Sequence, residues 1–216
     1  YSRSKIINWS GLPPERIVCV GNGVDPIFDP SGSSWTHPRP YLLYVGNQKP
    51  HKNVPGLVAA FSASRLSADF DLLLTGAISP AVAEAAARGG VSDRIIGLGL
   101  VSDADLPALY RGATALAMPS RYEGFGLPLV EAMACGTPVL SSNRTSLPEV
   151  GGDAVAYFDP DDFESVVAAL NGVQDMAFLE DLRTAGLARA GHFSWDRVAE
   201  TINSRIQQAI ANNVRA

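Results

Sequence analysis

Residues 121–131 read Arg-Tyr-Glu-Gly-Phe-Gly-Leu-Pro-Leu-Val-Glu, and they carry more information than any other part of the chain. They follow an apolar run at residues 113–118, and their glycine turn leads to a proline suited to the first turn of a helix. A strand, a glycine turn and a helix start are typical of a parallel α/β sheet, where free N–H groups bind anions. Two carboxylates, Glu123 and Glu131, add acceptors for hydroxyl groups. A ligand that carries both phosphates and many hydroxyl groups would satisfy these donors and acceptors. The stretch therefore predicts a nucleotide-sugar ligand.

The rest of the chain alternates short apolar runs with helical segments. Strands are predicted at residues 16–20, 41–45, 72–75, 94–98, 113–118, 138–141 and 154–158. Helices are predicted at residues 54–64 (with Asn53 as N-cap), 80–88, 104–111, 128–134, 162–171, 176–190 and 195–212. Apolar strands separated by helices favour a parallel sheet covered on both faces. The sequence therefore predicts an α/β fold, a Rossmann-like, doubly wound parallel sheet of six or seven strands.

Composition excludes several classes of protein. Hydrophobic residues make up 46% of the 216 residues, which is typical of an ordinary globular protein. A net charge of −5 argues against a nucleic-acid partner. No apolar run is long enough to span a bilayer, and the first residues lack the apolar core of a signal peptide. We therefore expect a cytoplasmic protein.

Cysteine and histidine usage predicts neither a metal nor another cofactor. Cys19 and Cys135 both lie in apolar runs, and we expect them to be small buried hydrophobic residues in a reducing compartment. No Cys/His cluster has metal-ligand spacing. The sequence also lacks the serine nucleophile elbow and the phosphate loop that ends in Gly-Lys-Ser/Thr.

A second candidate segment, residues 45–53, follows the strand predicted at residues 41–45. Its glycine and cations lie where ligands bind in open parallel sheets, beyond the carboxyl ends of the strands. One interpretation is that Lys52, with Lys49 and His51, neutralises a diphosphate beside Gly46. A solvated basic loop would explain the same residues.

Within the opening stretch, each carboxylate has a functional and a structural interpretation. Glu131 would accept hydrogen bonds from a ribose, and Glu123 would face a sugar. The N–H groups between them, of Gly124, Phe125, Gly126 and Leu127, would meet phosphate or sugar oxygens. Alternatively, Glu123 is an exposed loop acid and Glu131 a charge near a helix N-terminus, contributing about 0.3–1 kcal/mol.

Three further residues are weaker candidates. Val101 follows a predicted strand end and would hold a base through its backbone, although an ordinary loop explains it equally well. Arg121 and Tyr122 would line the same pocket.

Taken together, five segments resemble the C-terminal, donor-binding half of a GT-B retaining glycosyltransferase of the large family four group. The resemblance covers nearly the whole chain. It rests on Asn-Gly-Val-Asp at residues 22–25, Tyr-Val-Gly-Asn…Pro-His-Lys-Asn at 44–53, Leu-Tyr-Arg-Gly-Ala at 109–113, the long block at 119–139, and Leu-Pro-Glu-Val-Gly-Gly-Asp-Ala at 147–154.

The resemblance implies a role for several residues. Glu123 would lie near the donor sugar, Glu131 would hold the ribose and Lys52 would bind the diphosphate, which makes Glu123 and Lys52 the implied catalytic residues. The sequence departs from the pattern at Asn47, where many relatives carry arginine. Either Lys49 or His51 would then supply the second cation.

The resemblance also implies the donor and the chemistry. Branches that share Pro-x-Lys-Asn transfer mannose from a GDP donor, so GDP-mannose is the favoured donor within the class of GDP- or UDP-hexoses. The family needs no divalent cation, because cationic side chains and a helix dipole stabilise the leaving diphosphate.

In this family the acceptor site belongs to an N-terminal domain, for which residues 1–216 leave no room. We therefore expect a single donor-binding domain that binds nucleotide but transfers no sugar alone. Residues 1–15 would be an inter-domain linker or helix, and residues 195–213 a helix that crosses to the missing domain. The acceptor would be a glycan or glycolipid, and the parent protein would be cytoplasmic, with peripheral association at the inner face of the membrane as a further possibility.

Two other functions are compatible with the same fold. One is a GT-B nucleotide-sugar epimerase. The other is a non-catalytic module that senses a nucleotide or acts as a scaffold, although such a module has no need of Glu123, Glu131 and Lys52 together.

Overall fold

A computed structural model describes residues 1–213, and within them six strands form one parallel sheet. The strands are β1 (Tyr41–Tyr44), β2 (Asp71–Leu74), β3 (Ile95–Gly97), β4 (Ala115–Met118), β5 (Val139–Ser142) and β6 (Ala156–Phe158). Their order in the sheet is β3-β2-β1-β4-β5-β6. The direction of winding reverses between β1 and β4, so the predicted doubly wound α/β class is confirmed.

Helices cover both faces of the sheet. They are α1 (Ser2–Ser10), α2 (Val54–Ala63), α3 (Pro80–Arg88), α4 (Leu106–Gly112), α5 (Leu127–Ala134), α6 (Leu147–Gly151), α7 (Phe163–Gly172), α8 (Met176–Ala190) and α9 (Trp195–Asn213). Side chains alternate along each strand. In β1, Leu42 and Tyr44 join the core under α2, α3 and α7, whereas Tyr41 and Leu43 join the core under α4, α5 and α6.

Parallel pairing brings the ends of the strands into line. Leu43 of β1 is paired with Leu73 of β2 and with Leu116 of β4. The loops that follow β1 to β6 therefore emerge at one edge of the sheet, called the carboxyl edge below. All of the candidate residues lie in or beside these loops.

The prediction of a strand at residues 16–20 is wrong. Pro14–Arg16 forms a 3-10 turn, and residues 17–20 continue without a strand partner in the described chain. The Arg3 side chain on α1 donates hydrogen bonds to the carbonyls of Ile17 and Pro14, which holds this segment against α1 and away from the sheet. Cys19 is consequently exposed, so its predicted burial is also wrong, whereas Cys135 is buried.

One local prediction also needs correction, and one short helix was not predicted. Asn53 precedes α2, but its backbone is left-handed, with φ of 54°, and its side chain does not cap the helix. The amide Nδ2 donates instead to the Pro160 carbonyl at 3.1 Å. The short helix α6 was not predicted, although Pro148 in its first turn is a helix-start signal.

No helix among residues 1–213 combines the length and the apolarity that crossing a bilayer requires.

Replacing Leu116 by alanine should destabilise the fold, because this fully buried side chain lies in the centre of the sheet. We expect the free energy of unfolding to fall by about 2–5 kcal/mol, since the truncation leaves a cavity. Urea denaturation followed by circular dichroism measures the change. The matched control is Leu100→Ala at a fully exposed leucine, which should cost less than about 0.5 kcal/mol. Similar losses in both variants would contradict the assigned core.

Candidate functional site

The loop between β4 and α5 presents free backbone donors at the carboxyl edge. In the described chain, no acceptor bonds the N–H groups of Gly124, Phe125, Gly126 and Leu127. Gly126 has φ of 100°, and a Cβ there would lie 2.6 Å from Leu147 Cδ2, so only glycine fits. Pro128 lies in the first turn of α5, as predicted. Free amides at a helix N-terminus form a favourable environment for an anion.

Lys52 and Glu123 form an ion pair beside these amides. Lys52 Nζ lies 2.6 Å from Glu123 Oε1, which also accepts a hydrogen bond from Ser120 Oγ at 2.7 Å. The side chains of Lys52 and Glu123 are only 18% and 11% exposed. Glu123 is therefore not an exposed loop acid, and the structure brings together the two residues implied to be catalytic.

Glu131 lies on α5, and its environment differs from that of Glu123. Its Oε2 accepts a hydrogen bond from the buried Tyr110 hydroxyl at 2.8 Å, and its Oε1 has no partner in the described chain. Glu131 is beyond the first turn of α5, so the interpretation as a charge at the helix N-terminus is wrong. Burial raises the pKa of Glu131, and nearby Asp103 adds to this, although the hydrogen bond from Tyr110 partly opposes the shift.

The loop between β1 and α2 is fixed by its own polar groups. The Gly46 N–H donates to Thr75 Oγ1 at 3.0 Å, and Asn47 Oδ1 accepts from the Lys49 N–H at 3.1 Å. Tyr44, whose pKa is raised by burial and by the nearby Glu123 carboxylate, donates from its hydroxyl to the Asn47 carbonyl. Asn47 thus has a structural role in the loop.

Lys49 and His51 are exposed, and their side chains make no ion pair or hydrogen bond within the described residues. The geometry does not select either of them as the second cation.

A groove of about 260 Å³ lies where β1, β2 and β3 end. Gly76 and Gly99 lie in its wall and form two backbone hydrogen bonds with each other. The distance is 2.7 Å from Gly76 N to Gly99 O and 3.2 Å from Gly99 N to Gly76 O. Val101 lines the groove, and its backbone N–H and carbonyl have no partner in the part of the chain that the structure describes. The groove therefore has apolar walls and a free donor and acceptor.

A second groove, of about 540 Å³, lies beside the glycine turn. It is bounded by α1, by residues 19–22 and by Gly124, Phe125 and Ser146. Arg121 and Tyr122 line neither groove. Arg121 Nε pairs with Asp161 at 2.7 Å, and Tyr122 is exposed.

Sequence reasoning missed several residues that support the site. Tyr110 belongs to the motif at residues 109–113, but nothing in that motif indicated a contact with Glu131. Ser120 contacts the Glu123 carboxylate, and Thr145 and Ser146 contact the Glu123 backbone. A serine-rich stretch after a strand end was the available signal. Among the described residues, no group of three His, Cys, Asp or Glu side chains is placed to hold a metal ion.

Comparison with known proteins agrees with this geometry. The family described as "Glycosyl transferases group 1" matches residues 28–184. The chain is 37% identical to the O-antigen chain mannosyltransferase B of Escherichia coli over 94% of the chain and 58% of that protein. It is 33% identical to the MMP alpha-(1->4)-mannosyltransferase of Mycolicibacterium hassiacum over 97% of the chain and 53% of that protein. The chain thus spans a little over half the length of these two relatives.

Among solved structures, the chain is similar to the sucrose-phosphate synthase of Thermosynechococcus elongatus. The TM-score is 0.78 and the identity 27%, over 89% of this chain and 52% of the other. The predicted fold, that of the C-terminal half of a GT-B glycosyltransferase, is confirmed by this similarity.

Replacing Glu131 by glutamine should change stability in a pH-dependent manner. The pKa of Glu131 is raised above 4.5 in the folded state, so ionisation of this carboxyl destabilises the folded state. The destabilisation is absent below pH 4.5 and complete above the folded-state pKa. Glutamine does not ionise, so the variant lacks this destabilisation. The free energy of unfolding of the variant, relative to the wild type, should therefore rise from pH 4.5 upward through the folded-state pKa.

Urea denaturation between about pH 3.5 and 8 measures this difference. The control is Glu180→Gln, where hydrogen bonding to Arg183 lowers the pKa, so the relative stability of that variant should fall with rising pH below 4.5. A flat difference for Glu131→Gln would contradict the described environment.

Proposed function

This chain belongs to the family of glycosyl transferases group 1, and on that premise we propose that it is the donor-binding half of a retaining hexosyltransferase. The observation that carries the proposal is the Lys52–Glu123 ion pair beside the free amides at the N-terminus of α5. It combines a cation and backbone donors for a diphosphate with a carboxylate for a sugar.

The proposed binding mode uses each part of the carboxyl edge. The amides of residues 124–127 and the Lys52 ammonium receive the diphosphate. The free Oε1 of Glu131 accepts a ribose hydroxyl, and the base enters the groove beside Val101. The hexosyl group lies near Glu123, on the side of the larger groove.

Catalysis in this proposal is mainly electrostatic. Negative charge grows on the diphosphate as its bond to the sugar breaks, and preorganised donors stabilise that charge. The ion pair with Glu123 holds Lys52 in place before the donor arrives. The lysine then loses little conformational freedom on binding, although the phosphates must compete with the Glu123 carboxylate for it.

GDP-mannose is the donor that we propose. Two relatives that are 37% and 33% identical to this chain are named mannosyltransferases, which supports mannose as the sugar. The acceptor would be a glycan or glycolipid. We further propose a cytoplasmic parent protein that acts at the inner face of the membrane.

We also propose that the chain binds nucleotide without transferring sugar when it is alone. Support comes from α9, where Ile202, Ile206 and Ile210 are exposed on one stripe of the helix. Such a stripe suits a helix that crosses to a further domain, which would carry the acceptor site.

Calorimetric titration of the 216-residue chain with GDP, UDP and ADP tests the proposal. Saturable binding of one diphosphate, much weaker for its nucleoside, would support it and identify the base. Absence of binding for all three would favour a non-catalytic module.

Replacing Lys52 by alanine should weaken diphosphate binding by at least about tenfold, because a charge-assisted contact to phosphate is lost. Binding of the corresponding nucleoside should change by less than about threefold, since the nucleoside carries no phosphate. The matched control is Lys49→Ala, whose exposed side chain has no partner in the described structure. Equal losses for diphosphate and nucleoside in Lys52→Ala would remove Lys52 from the phosphate site, and a large loss in the control would place a second cation there.

A further inference from the structure

Thr145 has a backbone conformation that its residue type rarely adopts. Its φ is 57°, and apart from glycines only Asn53 shares a positive φ within the described chain. A β-branched side chain is unfavourable in the left-handed region, so the surrounding contacts must hold it there. Thr145 lies in the turn between β5 and α6, and this turn faces the loop that contains Glu123.

The hydroxyl of Thr145 bonds both polar backbone groups of Glu123. Its Oγ1 accepts from the Glu123 N–H at 3.0 Å and donates to the Glu123 carbonyl at 3.1 Å. Glu123 belongs to neither a helix nor a strand, so it has no regular backbone partners. The Thr145 side chain supplies a partner for both the N–H and the carbonyl of Glu123.

Ser146 fixes the same loop at a second point. Its buried hydroxyl shares its single proton between the Glu123 carbonyl at 2.9 Å and the Phe125 carbonyl at 3.2 Å. In a trans peptide the carbonyl and the following N–H point in opposite directions. The N–H groups of Gly124 and Gly126 are therefore turned away from Ser146 and remain free.

The side chain of Glu123 is fixed independently of its backbone. Ser120 and Lys52 both donate to Oε1. With Thr145 on the backbone, both ends of Glu123 are held before any ligand arrives. A carboxylate that must meet particular sugar hydroxyls gains from such preorganisation, because less ordering remains to be done on binding.

We propose that Thr145 is a positioning residue, which orients Glu123 toward the hexosyl group of the donor through its two backbone hydrogen bonds. This inference rests on the function proposed above. Ser146 would keep the glycine-turn amides oriented even when the Thr145 hydroxyl is absent. Thr145 should therefore affect recognition of the sugar and leave recognition of the diphosphate nearly intact.

The test uses Thr145→Val, which keeps the β-branched shape and removes only the hydroxyl. Calorimetry compares GDP with GDP-mannose, and UDP with UDP-glucose, for each variant. We expect GDP-mannose to bind about tenfold more weakly to Thr145→Val, with the affinity for GDP changed less than about threefold. Thr145→Ser, which retains the hydroxyl, should bind the sugar nucleotide with an affinity close to that of the wild type.

Two further variants separate positioning from folding. Thr145→Gly relieves the backbone strain and lacks the hydroxyl, so it should fold and repeat the selective loss. Thr184→Val is the control, because Thr184 is exposed on α8. If the role of Thr145 is merely structural, its variants should bind GDP and GDP-mannose more weakly to the same extent, and their melting temperature should fall.

The remaining outcomes are distinct. If Thr145→Val binds GDP-mannose as tightly as the wild type does, the positioning role alone is overturned. The same holds if the wild type binds each diphosphate and its hexose conjugate with equal affinity. Failure of the wild type to bind any of the four nucleotides would overturn the proposed function, and this inference with it.

Discussion

Parallel pairing of all six strands is the constraint on which the site depends. It forces every loop that follows a strand to emerge at one edge, so residues far apart in sequence become neighbours. Lys52 follows β1 and Glu123 follows β4, yet their charged atoms are 2.6 Å apart. Tyr110, on the helix that leads into β4, reaches Glu131 on the helix that follows it.

An anionic ligand at this edge must overcome carboxylates already there, among them Glu123 and Glu131. Lys52 is paired with Glu123, which reduces the negative charge near the glycine turn. The N-terminus of α5 adds a partial positive charge, equivalent to about half an elementary charge. Burial raises the pKa of Glu131, so its charge is disfavoured even without a ligand. The free amides and Lys52 thus offset part of this negative charge, and the balance is sensitive to the loss of either.

The periodicity of the chain predicted most of the fold, because buried parallel strands are short apolar runs between helices. It was misleading at residues 16–20, where an apolar run is held against α1 by Arg3 and remains exposed. For the site, local signals identified the glycine turn and its two acids. They could not identify Ser120, Thr145 or Tyr110 as partners, because such contacts arise only when packing brings separate loops together. The left-handed backbone of Thr145 also runs against its own preference, so no propensity could reveal it.

The two cysteines differ in exposure. Burial raises the pKa of Cys135 to about 12, so its thiolate is scarce at neutral pH. Cys19 is exposed and lines the larger groove, beside the glycine turn. A thiol-specific fluorophore would thus react selectively at the mouth of that groove without any engineered substitution. The chain carries its own attachment point for an optical reporter of what enters there.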